Sequence, residues 1–465
     1  MNFWPRACVV ASAAALGWAL QIANGFYDDR ALAWLTVALV LAIVAPVVWR
    51  AERSFTMFAP RGQLGEGWLR LLIAMAVAWQ IVALLTTPPG MYLDDRANIG
   101  LFNVGVIAEA AVIGVGVARI GKLARLWFPA LLALHLALGV WMLRSSPSPH
   151  IDVVTVHGEA FDALLGGRSP YDISFENIYG PNSPFYNPQL VEGDRVMFGY
   201  PYPPLSLLLA APGHLIAGDY RYAQLVAWVV AAALIGYITS SLFAKLAAAL
   251  FLTQPRGFFV LEQGWTEPMV LMLLATTAFA MTRRPDLAQW PAGLLLAIKQ
   301  YLVLGAPLLW RFAQRRQHPP RFFLAAVAVV VAVTLPLAMW RPSAFVDSVL
   351  LLQMREPFRL DSLSYLSWAA RHDFGAGSFL WSVGAGALAL TAAVLLTPNT
   401  SAGFALSLAL SAFATFAFGT KAFCNYYFFV VGALCCAGAA MERDAYRPSA
   451  QSGPAPYRLD DRART

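Results

Sequence analysis

The sequence predicts an all-α fold, a polytopic bundle of transmembrane helices, on three observations. Of its 465 residues 59% are hydrophobic and only 13% charged, with a mean hydropathy of +0.58. A water-soluble domain needs a polar shell that this composition lacks. Segments 31–49, 69–87, 101–118, 321–340, 376–396 and 402–419 are apolar runs, each close to the roughly 20 residues that cross the hydrocarbon core as helix. These runs are rich in Ala and Leu and do not alternate apolar with polar, which excludes spanning strands.

At the start of the chain Arg6 precedes an Ala-rich stretch, as in a signal peptide, but a second apolar run follows at once. The opening segment therefore reads as an uncleaved first span. Short loops rich in Lys and Arg favour the cytoplasmic side. Arg50, Arg53, Arg61 and Arg70 mark one such loop, Arg119, Lys122 and Arg125 a second, and Arg283 and Arg284 a third. Arg311, Arg315, Arg316 and Arg321 mark a fourth, and the tail after Met441 is the fifth. Parity then places 25–30, 88–99, 144–203, 341–375 and 420–425 outside, with both termini cytoplasmic, in the inner membrane. Segment 291–310 has basic flanks on both sides, so it reads as a broken or hairpin pair with its apex near Lys299 and Gln300. Segment 204–217 is short and interrupted by Pro212-Gly213.

The expected count is 12–14 spans. The N-terminal helices occupy 1–143, an external loop 144–203, the C-terminal helices 204–441 with a second external loop at 341–375, and a disordered cytoplasmic tail 442–465. Topology accounts for the net charge of +7, leaving no call for nucleic acid as partner. Cys8, Cys424, Cys435 and Cys436 lie in or beside apolar runs without paired spacing, as packing residues do.

The chemistry concentrates in 144–203, a connection too long to serve only as a link. Asp152, Thr155, Glu159 and Asp162 fall at helical spacing on one face, and Val153, Val156, Ala160 and Leu164 on another, an amphipathic helix laid on the membrane surface. Gly166-Gly167 stops it. Asp152 follows a Ser-Pro-Ser-Pro-His run and so sits at the cap or in the first turn. There the helix dipole favours the ionised carboxylate that a general base requires, although a simple helix cap has the same residue in the same place. The stretch 171–204 is dense in Tyr, Asn, Pro and Gly, and its aromatic side chains suit either a membrane-interface belt or a sugar-binding groove.

The run Asp152-Val153-Val154-Thr155, continuing to Ala163-Leu164-Leu165-Gly166-Gly167-Arg168-Ser169-Pro170-Tyr171-Asp172, resembles the external-loop signature of polyprenol-phosphate-dependent glycosyltransferases of the GT-C fold, in particular glycosyltransferase family 87. Tyr202-Pro203-Pro204-Leu205 is similar to the next block of that family. Glu262-Gln263-Gly264-Trp265 is similar to a later one, and Ala292-Gly293-Leu294 through Lys299 and Pro307 to the block after it. The resemblance covers about 148–310.

It implies a GT-C type bundle and an inverting transfer. A sugar, a hexose with mannose favoured by family habit, moves from a polyprenyl phosphate to a hydroxyl of a lipid or glycan acceptor at the external face. It makes Asp152 the catalytic carboxylate. The leaving phosphate needs fixed positive charge, for which Lys299, Lys421, Arg355 and Arg359 are the candidates. Tyr171, Tyr202, Gln263 and Asn425 are candidate substrate contacts. A Lys inside an apolar run ordinarily faces a protein or water cavity, whereas Lys421, near a helix end, has snorkelling as its ordinary explanation.

No metal ligand set is assigned. The acidic pairs Asp28-Asp29 and Asp94-Asp95 leave room for a divalent cation, or for a rival base, beside their plainer reading as solvated helix ends. Glu109 falls mid-span and Lys245 near a helix end. Two other classes stay open: a transporter or flippase for a lipid-linked saccharide, and an O-antigen-type polymerase or ligase. The concentration of polar residues in external loops favours the enzyme over the transporter.

Overall fold

The computed structural model describes residues 2–54, 62–314 and 318–444. Arg61, Arg315, Arg316 and the tail from 445 onward lie outside the described residues. The chain is helical almost throughout. In order the helices are α1 (Phe3–Ala23), α2 (Asp29–Ser54), α3 (Gly62–Thr86), α4 (Ile99–Ala118), α5 (Trp127–Ser145), α6 (Asp152–Leu165) and α7 (Pro204–Ala217). There follow α8 (Arg221–Tyr237), α9 (Leu242–Leu252), α10 (Gly257–Glu262), α11 (Glu267–Arg283), α12 (Gln289–Ile298) and α13 (Gly305–Ala313). The last are α14 (Pro319–Ala338), α15 (Pro342–Val346), α16 (Leu352–Arg355), α17 (Tyr365–Arg371), α18 (Phe379–Leu396), α19 (Ser401–Ala417) and α20 (Cys424–Asp444).

Among the described residues eight helices are long and apolar enough to cross a membrane: α1 to α5, α14, α18 and α20. Helices α7, α8, α9, α12 and α19 are apolar but shorter. By length alone the described residues give fewer spans than the expected 12–14, although α8 and α19 fall just short at 17 residues each. One apolar run is broken where the basic flanks of 291–310 require it. Helix α12 ends at Lys299, whose backbone is extended (φ −149°, ψ 143°), and a 3-10 turn over Gln300–Leu304 leads into α13.

Helix α20 is the centre of the bundle, with 94% of its apolar window buried, while α14 and α18 show only 22% and 17%. The outer helices expose rows of large apolar side chains, Val37, Val40 and Val47 on α2 and Leu380, Leu388 and Leu395 on α18 among them. A surface of that kind is stable against lipid and not against water.

The connections expected on the external side meet at one end of the bundle. The Tyr27 N–H donates to the Asp361 carbonyl (2.8 Å), Arg359 N–H to Thr420 O (3.1 Å), Leu363 N–H to Ala422 O (2.8 Å) and Asp94 N–H to Ser145 O (2.7 Å). At the opposite end Asn2 N–H reaches Glu52 (2.8 Å), Arg283 the Ile238 carbonyl (2.8 Å) and Arg311 the Thr397 carbonyl (2.7 Å).

The all-α expectation has one small exception. Strands β1 (Phe175–Glu176), β2 (Val191–Glu192) and β3 (Arg195–Val196) form an antiparallel sheet in the order β1-β3-β2 inside the 144–203 loop. Two-residue strands are too short to leave a period in sequence. The second loop, 341–375, folds as α15, a π-helical turn (Asp347–Leu351), α16 and α17.

The amphipathic helix forms where its pattern places it, and Gly167 (φ +70°) supplies the left-handed residue that ends it. Its apolar face does not lie on the membrane. Val153, Val156, His157, Ala160 and Phe161 are buried against protein, with the Phe161 ring stacked on His214 of α7 (4.3 Å) and His157 on Tyr220 (4.3 Å). A helix of fourteen residues satisfies its apolar stripe on a protein neighbour once the chain supplies one, and α7 with the 199–203 segment does.

Candidate active site

Asp152 is the first residue of α6, and the position before it, Ile151, offers no side-chain cap. The Asp152 carboxylate accepts from the Val153 backbone N–H within the first turn. It also accepts a hydrogen bond from the Tyr186 hydroxyl (2.9 Å), and the Asp152 N–H donates to the Tyr179 hydroxyl (3.2 Å). Burial pushes the carboxyl above its ordinary value, against the opposing pull of the Tyr186 hydrogen bond, the Val153 backbone N–H, the Arg359 charge and Tyr179. The dipole argument from sequence has the direction reversed, because desolvation outweighs the helix end. A carboxylate raised toward neutrality is the stronger base at pH 7.

A hydrogen-bonding tyrosine stabilises the charged form of its partner, so Tyr186→Phe is expected to raise the Asp152 carboxyl further. Activity that needs the ionised base falls as pH drops through that value, and the variant's acid limb should begin at higher pH than the wild type's. A pH–rate profile of kcat/KM measures it, and coincident acid limbs would exclude Asp152 as the titrating group.

Arg359 is the cation that acts on Asp152. Its guanidinium is fixed by two bonds to Asp361 (2.8 and 2.7 Å) and lies over the rings of Phe185 (4.4 Å) and Phe423 (4.7 Å). Beside it, His150, Tyr179, Asn182, Ser183 and Phe185 line an open groove of about 480 Å³. Tyr179 and Phe185 meet edge to face there (4.7 Å).

Lys299 belongs to a second cluster. Its ammonium donates to Thr266 Oγ1 (2.6 Å), stands 3.0 Å from Glu267 Oε1 and lies over the Tyr202 ring (4.3 Å). Tyr202 joins the two clusters, since both Asp152 and Glu267 act on its phenol. The Tyr171 hydroxyl donates to the Tyr202 carbonyl (3.0 Å), holding that segment in place.

The remaining candidates stand apart. Arg355 pairs with Asp347, and Lys421 pairs with Glu356; burial pulls the Lys421 ammonium down to about 7. All four candidate phosphate cations thus have a carboxylate partner, which a list of basic residues does not disclose. Gln263 is buried on Glu262 (3.3 Å), and Asn425 is buried at the start of α20.

Glu262, read only as part of a sequence block, and Glu267 are the pair to which sequence reasoning gave no role. Glu262 accepts from the N–H groups of Met91 (2.7 Å) and Tyr92 (2.8 Å), pinning the 88–97 loop to the Gln263-Gly264 block. Gly264 has φ +67°, and its carbonyl accepts from Tyr220 (3.0 Å) and Gln224 (2.7 Å); a Cβ there would strike the Tyr220 hydroxyl. The only signal for this pair was that carboxylates flank a Gln-Gly turn within an apolar stretch.

His157 is neutral. Its Nδ1 bonds the Val153 carbonyl (2.9 Å), its Nε2 faces the Tyr200 hydroxyl (3.0 Å), and burial pulls it down to about 3. Asp28 accepts from Arg30 and Ala31 N–H groups and Asp94 from Arg96 N–H, so both act as turn and helix-end residues. Among the described residues no group of three or more His, Cys, Asp or Glu side chains stands where it could share a metal ion. Glu109 pairs with His135 across α4 and α5 (2.9 Å), both fully buried, and Lys245 lies over the Tyr237 ring (5.7 Å).

A scan against protein-family models, a search of curated proteins and a search of solved structures each return no match.

Proposed function

We propose that the protein is a membrane glycosyltransferase of GT-C type, moving a hexose from a polyprenyl phosphate to an acceptor hydroxyl with inversion. The observation that carries this reading is the Asp152 carboxylate. It is half-buried at the end of an extramembrane helix, raised by burial, oriented by Tyr186 and accompanied by one fixed guanidinium beside an aromatic groove.

Asp152 would take the proton of the acceptor hydroxyl as that oxygen attacks the anomeric carbon. The bond from that carbon to the phosphate oxygen breaks, and the phosphate leaves with the electron pair. Arg359, its guanidinium fixed by two bonds to Asp361, is the cation that would meet that charge. The lipid chain stays in the bilayer while its phosphosugar reaches the end of the bundle where 144–203 folds.

Purified protein should release polyprenyl phosphate from at least one member of a panel of polyprenyl-phosphate sugars once an acceptor is supplied. No release from any of them would remove the reading.

The orientation is part of the proposal. With the site end external, a cysteine at the exposed Asn182 should react with an impermeant reagent in intact cells, while one at the exposed Arg125 should not. The reverse pattern would place the site in the cytoplasm. One observation speaks for the transporter reading, the buried Glu109–His135 pair within the bundle. Such groups line translocation paths in other membrane proteins, and uptake of a lipid-linked saccharide into vesicles without phosphate release would favour it.

A further inference from the structure

The geometry around Lys299 points to a binding site for the hydroxyl groups of a neutral sugar, built from Glu267, Tyr301 and Lys299. This rests on the glycosyltransferase reading and specifies which part of the donor the second cluster holds.

Glu267 is 0% exposed, and neither carboxylate oxygen has a hydrogen-bond partner; Oε1 has only the ion-pair contact to Lys299 at 3.0 Å. The Tyr301 hydroxyl, two residues beyond Lys299, is also buried without a partner. Lys299, paired with Glu267, lies over the Tyr202 ring (4.3 Å), the Tyr301 ring meets that of Tyr426 (6.2 Å), and the Glu267 charge acts on the Tyr301 phenol. Buried acceptors without donors are costly, and several in one cluster mark a place where a ligand or water completes the set.

The charge of the cluster selects the ligand. Lys299 is neutralised by Glu267 and already donates to Thr266. A phosphate brought to Lys299 would meet the Glu267 carboxylate, and so would the carboxylate of an acidic sugar. A neutral polyol meets no such penalty: two of its hydroxyls donate to Glu267, and a third exchanges a hydrogen bond with Tyr301. Lys299 then serves as the countercharge of Glu267, while the donor phosphate goes to Arg359, the cation whose charge acts on Asp152.

The test is binding by the purified full-length chain in detergent. The two ligands are a short-chain polyprenyl phosphate, bare and carrying a neutral hexose. The wild type should bind the glycosylated lipid more tightly than the bare one. Glu267→Gln should reduce affinity for the glycosylated lipid about 10–100-fold, and Tyr301→Phe about 3–10-fold, with bare-lipid affinity unchanged in both. Tyr301→Phe removes one oxygen and keeps the ring packing against Phe416, Tyr426 and Phe429, so it reads the site even where the Glu267 variant fails to fold.

If the wild type prefers the glycosylated lipid and both variants keep that preference in full, the sugar site is overturned while the glycosyltransferase reading stands. Equal losses for the bare and glycosylated lipids would return the cluster to phosphate binding. Binding of neither lipid by the wild type overturns both.

Discussion

Asp152→Asn is expected to leave a folded protein that binds its donor and transfers sugar about 10²–10⁴-fold more slowly, the usual contribution of a general base. Asn keeps the size of the side chain, and its carbonyl oxygen still accepts from the Tyr186 hydroxyl that now reaches Oδ2 at 2.9 Å. What it lacks is a site for the acceptor proton. Loss of a helix-end contact costs about 0.5–2 kcal/mol of stability and leaves the rate of transfer alone, so thermal unfolding separates it from loss of the base.

The measurement is single-turnover transfer beside donor binding and thermal unfolding of the same preparation. Near-normal transfer would move the role to another carboxylate. Glu159 is poorly placed to inherit it, being tied to Arg195 (2.8 Å) and to the Glu176 N–H (2.9 Å).

The second large effect is on stability. From sequence, Lys299→Met reads as a change that costs donor binding and spares the fold. The pairing with Glu267 reverses that order. The substitution strands a carboxylate with no exposure to water, and breaking one partner of a buried ion pair typically costs about 3–5 kcal/mol. Lys299→Met is therefore expected to unfold at a markedly lower temperature than the wild type, and Lys299→Met with Glu267→Gln to recover most of the loss. Thermal unfolding in detergent separates the cases, and a single variant as stable as the wild type would show that Glu267 is neutral or hydrated in the fold.

The fates of Asp152 and Lys299 show which features a linear reading can reach. Periodicity placed α6 within a residue or two of its ends, because an amphipathic stripe bounded by Pro and a Gly pair is written locally. The break at Lys299 was legible from its two basic flanks, since a straight span cannot place both on one side. The 3-10 turn after it and the short strands around Arg195 left no trace, for neither has enough residues to set a period.

Partners were the blind side. Nothing local to Lys299 names Glu267, thirty-two positions earlier, and nothing near Asp152 names Tyr186 or Arg359. The membrane-surface role expected for α6 failed for the same reason: the stripe declares that it must be buried, and not against what.

The sequence by itself determined that this chain is a bundle of membrane helices, which of its connections gather at one end, and that Asp152 heads an amphipathic helix between two apolar runs. Hydrophobic runs, basic loops and turn residues act over a few neighbouring positions, so they can be read in order along the chain. Tertiary structure alone decided that Asp152 is raised rather than lowered by its surroundings, and that each candidate cation is already matched by a carboxylate. Desolvation and ion pairing depend on which distant side chains arrive within a few ångströms, and only the packed bundle settles that.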